Sequence, residues 1–295
     1  DEYGVGGLAM NDQAQRLRDL VNRDPCTVAR TVAVTSGKGG VGKTNIAINL
    51  ALALINMNQK VALLDGDLGL ANADLLLGVY PKYTLLDIVN GKRELSDIVI
   101  EGPLGLKVIA GGSGVYELAN ISQMGLDRLI SAAIHLNGEL DFLIVDTSAG
   151  LARKVIRVIM AVSEVLVVAT SEPSSIADAY GLIKTILQRE PEKEITILAN
   201  MVRSPNEGLL VWQKINMMTS RFLQREVKYV GCVFFDPKVV SAVRAQQAFL
   251  LAYPGSSASR SVYSVAENLL TKAFLSANQV TANVRMPFGR NTFAN

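Results

Sequence analysis

Apolar residues fall in two patterns along the chain. The first is the short unbroken run: "TVAVTS" (31–36), "KVALLD" (60–65), "LKVIAGG" (106–112), "LDFLIVDTS" (140–148), "EVLVVATS" (164–171), "EITILANM" (194–201) and "VKYVGCVFFD" (227–236). Such runs predict strands buried on both faces. The second is a helical recurrence. In "KTNIAINLALALINMNQ" (43–59), Ile46, Leu50, Ala53 and Leu54 share one face, and 122–137, 174–190 and 205–225 carry similar patterns. Doubly buried strands joined by helices predict an α/β fold, a doubly wound and mainly parallel sheet flanked by helices. The alternation occupies residues 28–275 as one domain, with an N-terminal segment (1–27) and a C-terminal tail (276–295) set apart.

Composition narrows the picture only a little. With 49% hydrophobic residues in 295, the chain can bury a core without staples. A net charge of +2 argues against a generally basic surface, so no specific nucleic-acid partner is expected. Cys26 and Cys232 lie far apart and without metal spacing, which fits a reducing cytoplasm. No apolar run approaches the roughly 18 residues of a spanning helix. "DEYGVGGLAM" lacks the order of a signal peptide, and Met10 is a candidate natural start.

The chemistry concentrates at strand ends. Gly37, four residues and then Gly42-Lys43-Thr44 fit G-x-x-x-x-G-K-[ST], between a predicted strand and a predicted helix. Glycines let backbone N–H groups turn around a phosphate, and the helix N-terminus adds partial positive charge. Lys43 is expected to reach the β- and γ-phosphates of ATP, or the β-phosphate of ADP, and Thr44 to ligate Mg²⁺. Lys38 is surplus to this pattern and on spacing alone reads equally as a solvated lysine. Asp65 and Asp67 stand at the end of the second strand, where α/β folds place ligands, and Asp146 ends the fourth.

The loop "KGGVGKT" resembles the deviant Walker A of the MinD/ParA ATPases. That resemblance implies nucleotide contacts from Gly37, Lys38, Gly39, Gly40, Val41, Gly42, Lys43, Thr44 and Asn45, and a homodimer formed with ATP. Lys38 would be the lysine that crosses to the partner's phosphates. Asp65 would lie near Mg²⁺, Asp67 would orient the attacking water, Asp146 would hold Mg²⁺ and Gly150 would let its loop respond to the γ-phosphate. Asn200, Asp236 and Pro237 would meet the adenine, although a strand-end Asn is also an ordinary turn residue. Catalysis would rest on Lys38, Lys43 and Asp67.

Three further stretches, "DGDLGLANADLLLG", "YPKYTLLDIVNGKRELSDIV" and "NDQAQRLRDLV", are similar to the flagellar number regulators of that family, the FlhG group. In the last of them Asn11 or Asp12 can cap a helix, and Ala14, Leu17 and Val21 form a helical stripe. It is too short to be stable alone, so it orders either on its own domain or on a partner. The resemblance implies the partner FlhF, a GTPase of the signal-recognition-particle type, met by Asp12, Gln13, Arg16, Leu17 and Arg18. It further implies flagellar C-ring switch proteins as partners and a reversible membrane surface at the inner face of the cell membrane. Residues 260–277 carry a stripe of Val262, Ala266, Leu269, Leu270, Ala273 and Phe274, but the polar face is too poor in basic residues for a membrane helix, so packing on the core is expected. The tail's Pro287 and Gly289 argue against one good helix there. A ParA-type partitioning ATPase needs a basic patch not evident here, and a MinD-type division-site ATPase leaves "DQAQRLR" unexplained. The two cysteines are misplaced for the cluster-bridging redox relatives. His135 reads as a helix-end residue, and Trp212 as a packing or partner-facing one.

Overall fold

The computed structural model describes residues 29–67, 73–83, 85–89, 92–111, 123–134 and 140–275. Cys26, His135, the tail 276–295 and the whole N-terminal segment, with Asp12, Gln13, Arg16, Leu17 and Arg18, lie outside them.

Among the described residues, eight strands form one sheet: β1 (Arg30–Thr35), β2 (Val61–Gly66), β3 (Val99–Glu101), β4 (Lys107–Ile109), β5 (Phe142–Thr147), β6 (Glu164–Ala169), β7 (Glu194–Val202) and β8 (Lys228–Phe234). Their order is β3-β4-β2-β5-β1-β6-β7-β8. Among these strands, every pairing is parallel except β3 with β4. The α-helices of the described residues are α1 (Lys43–Asn56), α2 (Ala73–Leu77), α3 (Leu85–Val89), α4 (Leu95–Ile98), α5 (Gln123–Ile134), α6 (Arg153–Met160), α7 (Pro173–Leu187), α8 (Pro205–Leu223), α9 (Pro237–Arg244), α10 (Phe249–Ala252) and α11 (Ser257–Thr271).

Two apolar layers cover the sheet. On one face α1, α10 and α11 pack against Val32, Val34, Leu63 and Ile144. On the other, α5, α6, α7 and α8 pack against Ala33, Leu64, Val145 and Val167. The central strands β2, β5 and β6 are buried along their whole length, as uninterrupted apolar runs require.

The edges depart from the sequence reading. The run expected at 106–112 contracts to three strand residues, and its outer neighbour β3 is an antiparallel edge strand that three residues of sequence do not announce. The stripe expected over 260–277 is a helix only to Thr271. Ser256 caps its start by accepting from the Ser259 N–H at 3.1 Å, and Lys272 turns into the left-handed region at φ 54°. Ala273 and Phe274 therefore leave the helix, and Leu275 pairs with Tyr229. Val262, Ala266 and Leu269 are buried against the α1 layer, as the weakly basic polar face led us to expect.

Trp212 is a packing residue. It is buried, its indole Nε1 donates to the Val227 carbonyl at 2.8 Å, and its ring stacks on Tyr229 with centroids 5.8 Å apart. Trp212→Ala is expected to lower the unfolding free energy by about 3–5 kcal/mol. Equilibrium urea denaturation measures this, and an unchanged midpoint would show that the site refills.

Candidate functional site: a phosphate loop between two strand-end carboxylates

The registers bring three strand ends together. Asp146 lies opposite Val34 of β1 on one side and opposite Asp65 of β2 on the other. Adjacent β1 and β6 then send their chains to opposite faces, since α1 lies in one apolar layer and α7 in the other. A crevice opens at the carboxyl ends of strands where the winding reverses in this way.

The loop 36–42 fills that crevice. Gly40 and Gly42 have φ of 78° and 88°, in the left-handed region. Gly37 is demanded by proximity, because a Cβ there would lie 2.2 Å from the backbone carbonyl of Asp178 on α7. Ser36 Oγ donates to the Lys38 carbonyl at 2.6 Å. Gly42 supplies no side-chain cap to α1, so the first turn presents backbone N–H groups toward the loop. This is the arrangement that binds an anion at a helix N-terminus.

The two lysines of the loop part company. Lys43 is buried. Burial lowers its pKa, opposed by the nearby carboxylates of Asp146 and Asp67. Lys38 instead reaches the surface, where its Nζ donates to Glu172 Oε2 at 2.5 Å and to Ser174 Oγ at 2.9 Å. Both acceptors belong to the start of α7, so the lysine bridges the loop after β1 and the loop after β6.

The carboxylates divide their work. Asp65 is buried; one oxygen accepts from the Asp67 N–H and the other from the Ala73 N–H, each at 3.1 Å. It thereby ties the end of β2 to the start of α2. Asp67 Oδ1 accepts from Ser148 Oγ at 2.6 Å and has Lys154 Nζ at 3.7 Å. Burial and the facing Asp65 carboxylate push the pKa of Asp146 up to about 7, against the opposing Thr44 hydroxyl and Lys43. Its Oδ1 is buried with no hydrogen-bond partner among the described residues. The segment after β5 is pinned to the phosphate loop by Gly150, at φ 90°, whose N–H donates to the Ser36 carbonyl at 2.9 Å.

Beside the loop is a cleft lined by Gly42, Asn45, Asn200, Met201, Phe235 and Asp236. Asn200 Nδ2 donates to the Val41 carbonyl at 2.7 Å, so this side chain also supports the phosphate loop. Asp236 caps α9, accepting from the Lys238 N–H at 3.0 Å, and its other oxygen accepts from Ser257 N–H and Oγ at 3.0 and 2.8 Å. Pro237 opens α9. Met201 has φ 57° beside a register shift between β7 and β8 that turns Asn200 toward the loop. A bulge re-aims side chains in this manner.

The structure thus gathers Gly37, Lys38, Lys43, Thr44, Asp65, Asp67 and Asp146 around one crevice, with Asn200 and Asp236 beside it. It adds Ser148, Lys154, Glu172, Ser174 and Met201, which the sequence reading did not single out. Local pattern held a hint of Lys154 alone: two cations follow the Gly150 turn.

Comparison with known proteins agrees with this geometry. The profile of the CobQ/CobB/MinD/ParA nucleotide binding domain matches residues 32–249. The chain is 43% identical over 240 residues to antiactivator FleN of Pseudomonas aeruginosa, covering 81% of this chain and 86% of that protein. It is 34% identical over 272 residues to flagellum site-determining protein YlxH of Helicobacter pylori, covering 89% and 92%. Among solved structures, the septum site-determining protein MinD of Pyrococcus horikoshii, complexed with Mg-ADP, superposes with a TM-score of 0.70 at 24% identity, over 83% of this chain and 97% of that one. The sheet, the phosphate loop and these matches place the chain in the CobQ/CobB/MinD/ParA nucleotide-binding domain family.

Proposed function

We propose that the protein is an ATP-dependent dimerising switch ATPase that regulates flagellar number or placement. The observation that carries this reading is the divergence of the loop's two lysines. Lys43 is turned into the crevice, and Lys38 is held at its rim by Glu172 and Ser174. Similarity to FleN and YlxH supports the flagellar role.

In this reading the loop N–H groups and Lys43 bind the β- and γ-phosphates of ATP. Thr44 and Asp146 would hold Mg²⁺, and the orphaned buried oxygen of Asp146 beside the Thr44 hydroxyl fits a cation that keeps few protein ligands. Bound there, the ion would neutralise charge on the phosphates. Asp65 supports this corner from the neighbouring strand, and Asp67 orients the attacking water. Asn200, Asp236 and Pro237 frame the adenine side. Lys38 exchanges Glu172 for the phosphates of the partner's nucleotide, which makes the site complete only in the dimer. The N-terminal segment, with Asp12, Gln13, Arg16, Leu17 and Arg18, stimulates FlhF. C-ring switch proteins and a reversible membrane surface complete the partner set.

Mass in solution by light scattering tests the switch. ATP is expected to drive wild type and Asp67→Ala to dimers, Asp67→Ala without turnover, while Lys38→Ala stays monomeric and Lys43→Ala binds no nucleotide. A mass that ignores nucleotide in all four would sink the dimer mechanism.

Asp146 gives a pH dependence of unusual sign. Its folded pKa of about 7 stands above the ordinary 3.8, so its contribution to stability is present below the lower value and lost as pH rises through the upper one. Nucleotide-free Asp146→Asn is therefore expected to gain on wild type as pH rises from 5 to 8, by on the order of 2 kcal/mol. It should also lose Mg²⁺-dependent ATP binding. Thermal denaturation at the two pH values checks the sign.

FlhF stimulation is tested by adding wild type or Gln13→Ala to purified FlhF and GTP. The variant is expected to lose most of the stimulation while keeping its own ATP-dependent mass.

A further inference from the structure

Helix α6 opens against the usual rule for helix N-termini. Its cap is Ala152, with no side-chain cap and no acidic residue in its first turn. The first two residues are Arg153 and Lys154. Positive charge at a helix N-terminus opposes the helix dipole, and an Ala cap leaves the first N–H groups without a side-chain acceptor. A local violation of this kind, next to a nucleotide site, points to a function for the charges.

The geometry says which charge and what it serves. Lys154 Nζ lies 3.7 Å from Oδ1 of Asp67, with the two side chains 31% and 25% exposed. Ser148 Oγ donates to that same oxygen at 2.6 Å. Two groups from the segment after β5 therefore converge on one oxygen of a carboxylate from the segment after β2. Gly150, between them in sequence, is fixed to the phosphate loop through Ser36.

We propose that Lys154 is a positioning residue for ATP hydrolysis: with Ser148 it fixes the Asp67 carboxylate, so that the water-orienting group is in place only when the segments after β2 and β5 are both correctly arranged. This rests on the proposed role of Asp67. Lys154 donates no proton and touches no nucleotide in this scheme. Its charge and reach hold the carboxylate in one of the orientations open to it. Positioning errors far smaller than a side chain's length have large effects on rate.

The test compares full-length wild type with Lys154→Met, Lys154→Arg, Asp67→Ala and the double variant Lys154→Met/Asp67→Ala. Steady-state ATPase gives kcat and KM. Titration with a fluorescent ATP analogue gives affinity, and light scattering with ATP gives mass. Lys154→Met is expected to lower kcat about 10- to 100-fold, with KM, affinity and ATP-dependent mass unchanged. Lys154→Arg should recover most of the rate, and Lys154→Met should add nothing in the Asp67→Ala background. An unchanged or raised kcat in Lys154→Met overturns the proposal, as does a loss that Arg does not recover or that travels with lost affinity. If Asp67→Ala keeps wild-type turnover, the role of Asp67 itself fails. If Asp67→Ala is inactive while Lys154→Met is normal, only the positioning role fails.

Discussion

Two buried carboxylates face each other across neighbouring parallel strands, and the site is built around that unfavourable pairing. Asp65 and Asp146 are direct register partners on β2 and β5, both almost inaccessible to water. Like charges at this separation in a poorly solvated corner cannot both ionise without compensation. Asp65 obtains it from two backbone N–H groups. Asp146 obtains less, from the Thr44 hydroxyl and the Lys43 ammonium, and its pKa rises toward neutrality. One Asp146 oxygen is left without a hydrogen-bond partner among the described residues. The crevice is thus poised for a cation and for the anion that accompanies it.

The same corner ties the segments that follow three neighbouring strands to one another. Gly150 reaches the loop carbonyl of Ser36, Ser148 reaches Asp67, and Asp65 reaches the start of α2. The segments after β2 and β5 therefore report on each other and on the loop after β1. Segments held by a few hydrogen bonds around a γ-phosphate site are the common material of nucleotide switches. Lys38 stands at the outer edge of the network, tied to the segment after β6. A lysine held by its own chain through an exposed ion pair is easily exchanged, because such pairs contribute little in water.

Much of this was legible in the sequence. The unbroken apolar runs marked seven of the eight strands among the described residues, because a strand buried on both faces has no polar alternation to confuse it. The missing one, Val99–Glu101, is a three-residue antiparallel edge with too little sequence to carry a period. The loop 37–44 was legible because its function needs glycines, a lysine and a hydroxyl at fixed local spacing, and Gly37, Gly40 and Gly42 each meet a backbone demand visible in the fold. The C-terminal stripe was legible as a packing face, but its end was not. Lys272 enters a left-handed cap that spacing does not encode.

The sequence by itself determined the α/β class, the phosphate loop and the strand-end acids, all of which follow from local periodicity and short motifs. The tertiary structure alone decided who meets whom. Lys38 finds Glu172 and Asn200 finds the Val41 carbonyl across 134 and 159 residues, and Asp67 finds Ser148 across 81. Those meetings depend on strand order, register and a bulge in β7. Order and register are fixed by the joint packing of two apolar layers on one sheet, and no single segment carries that information.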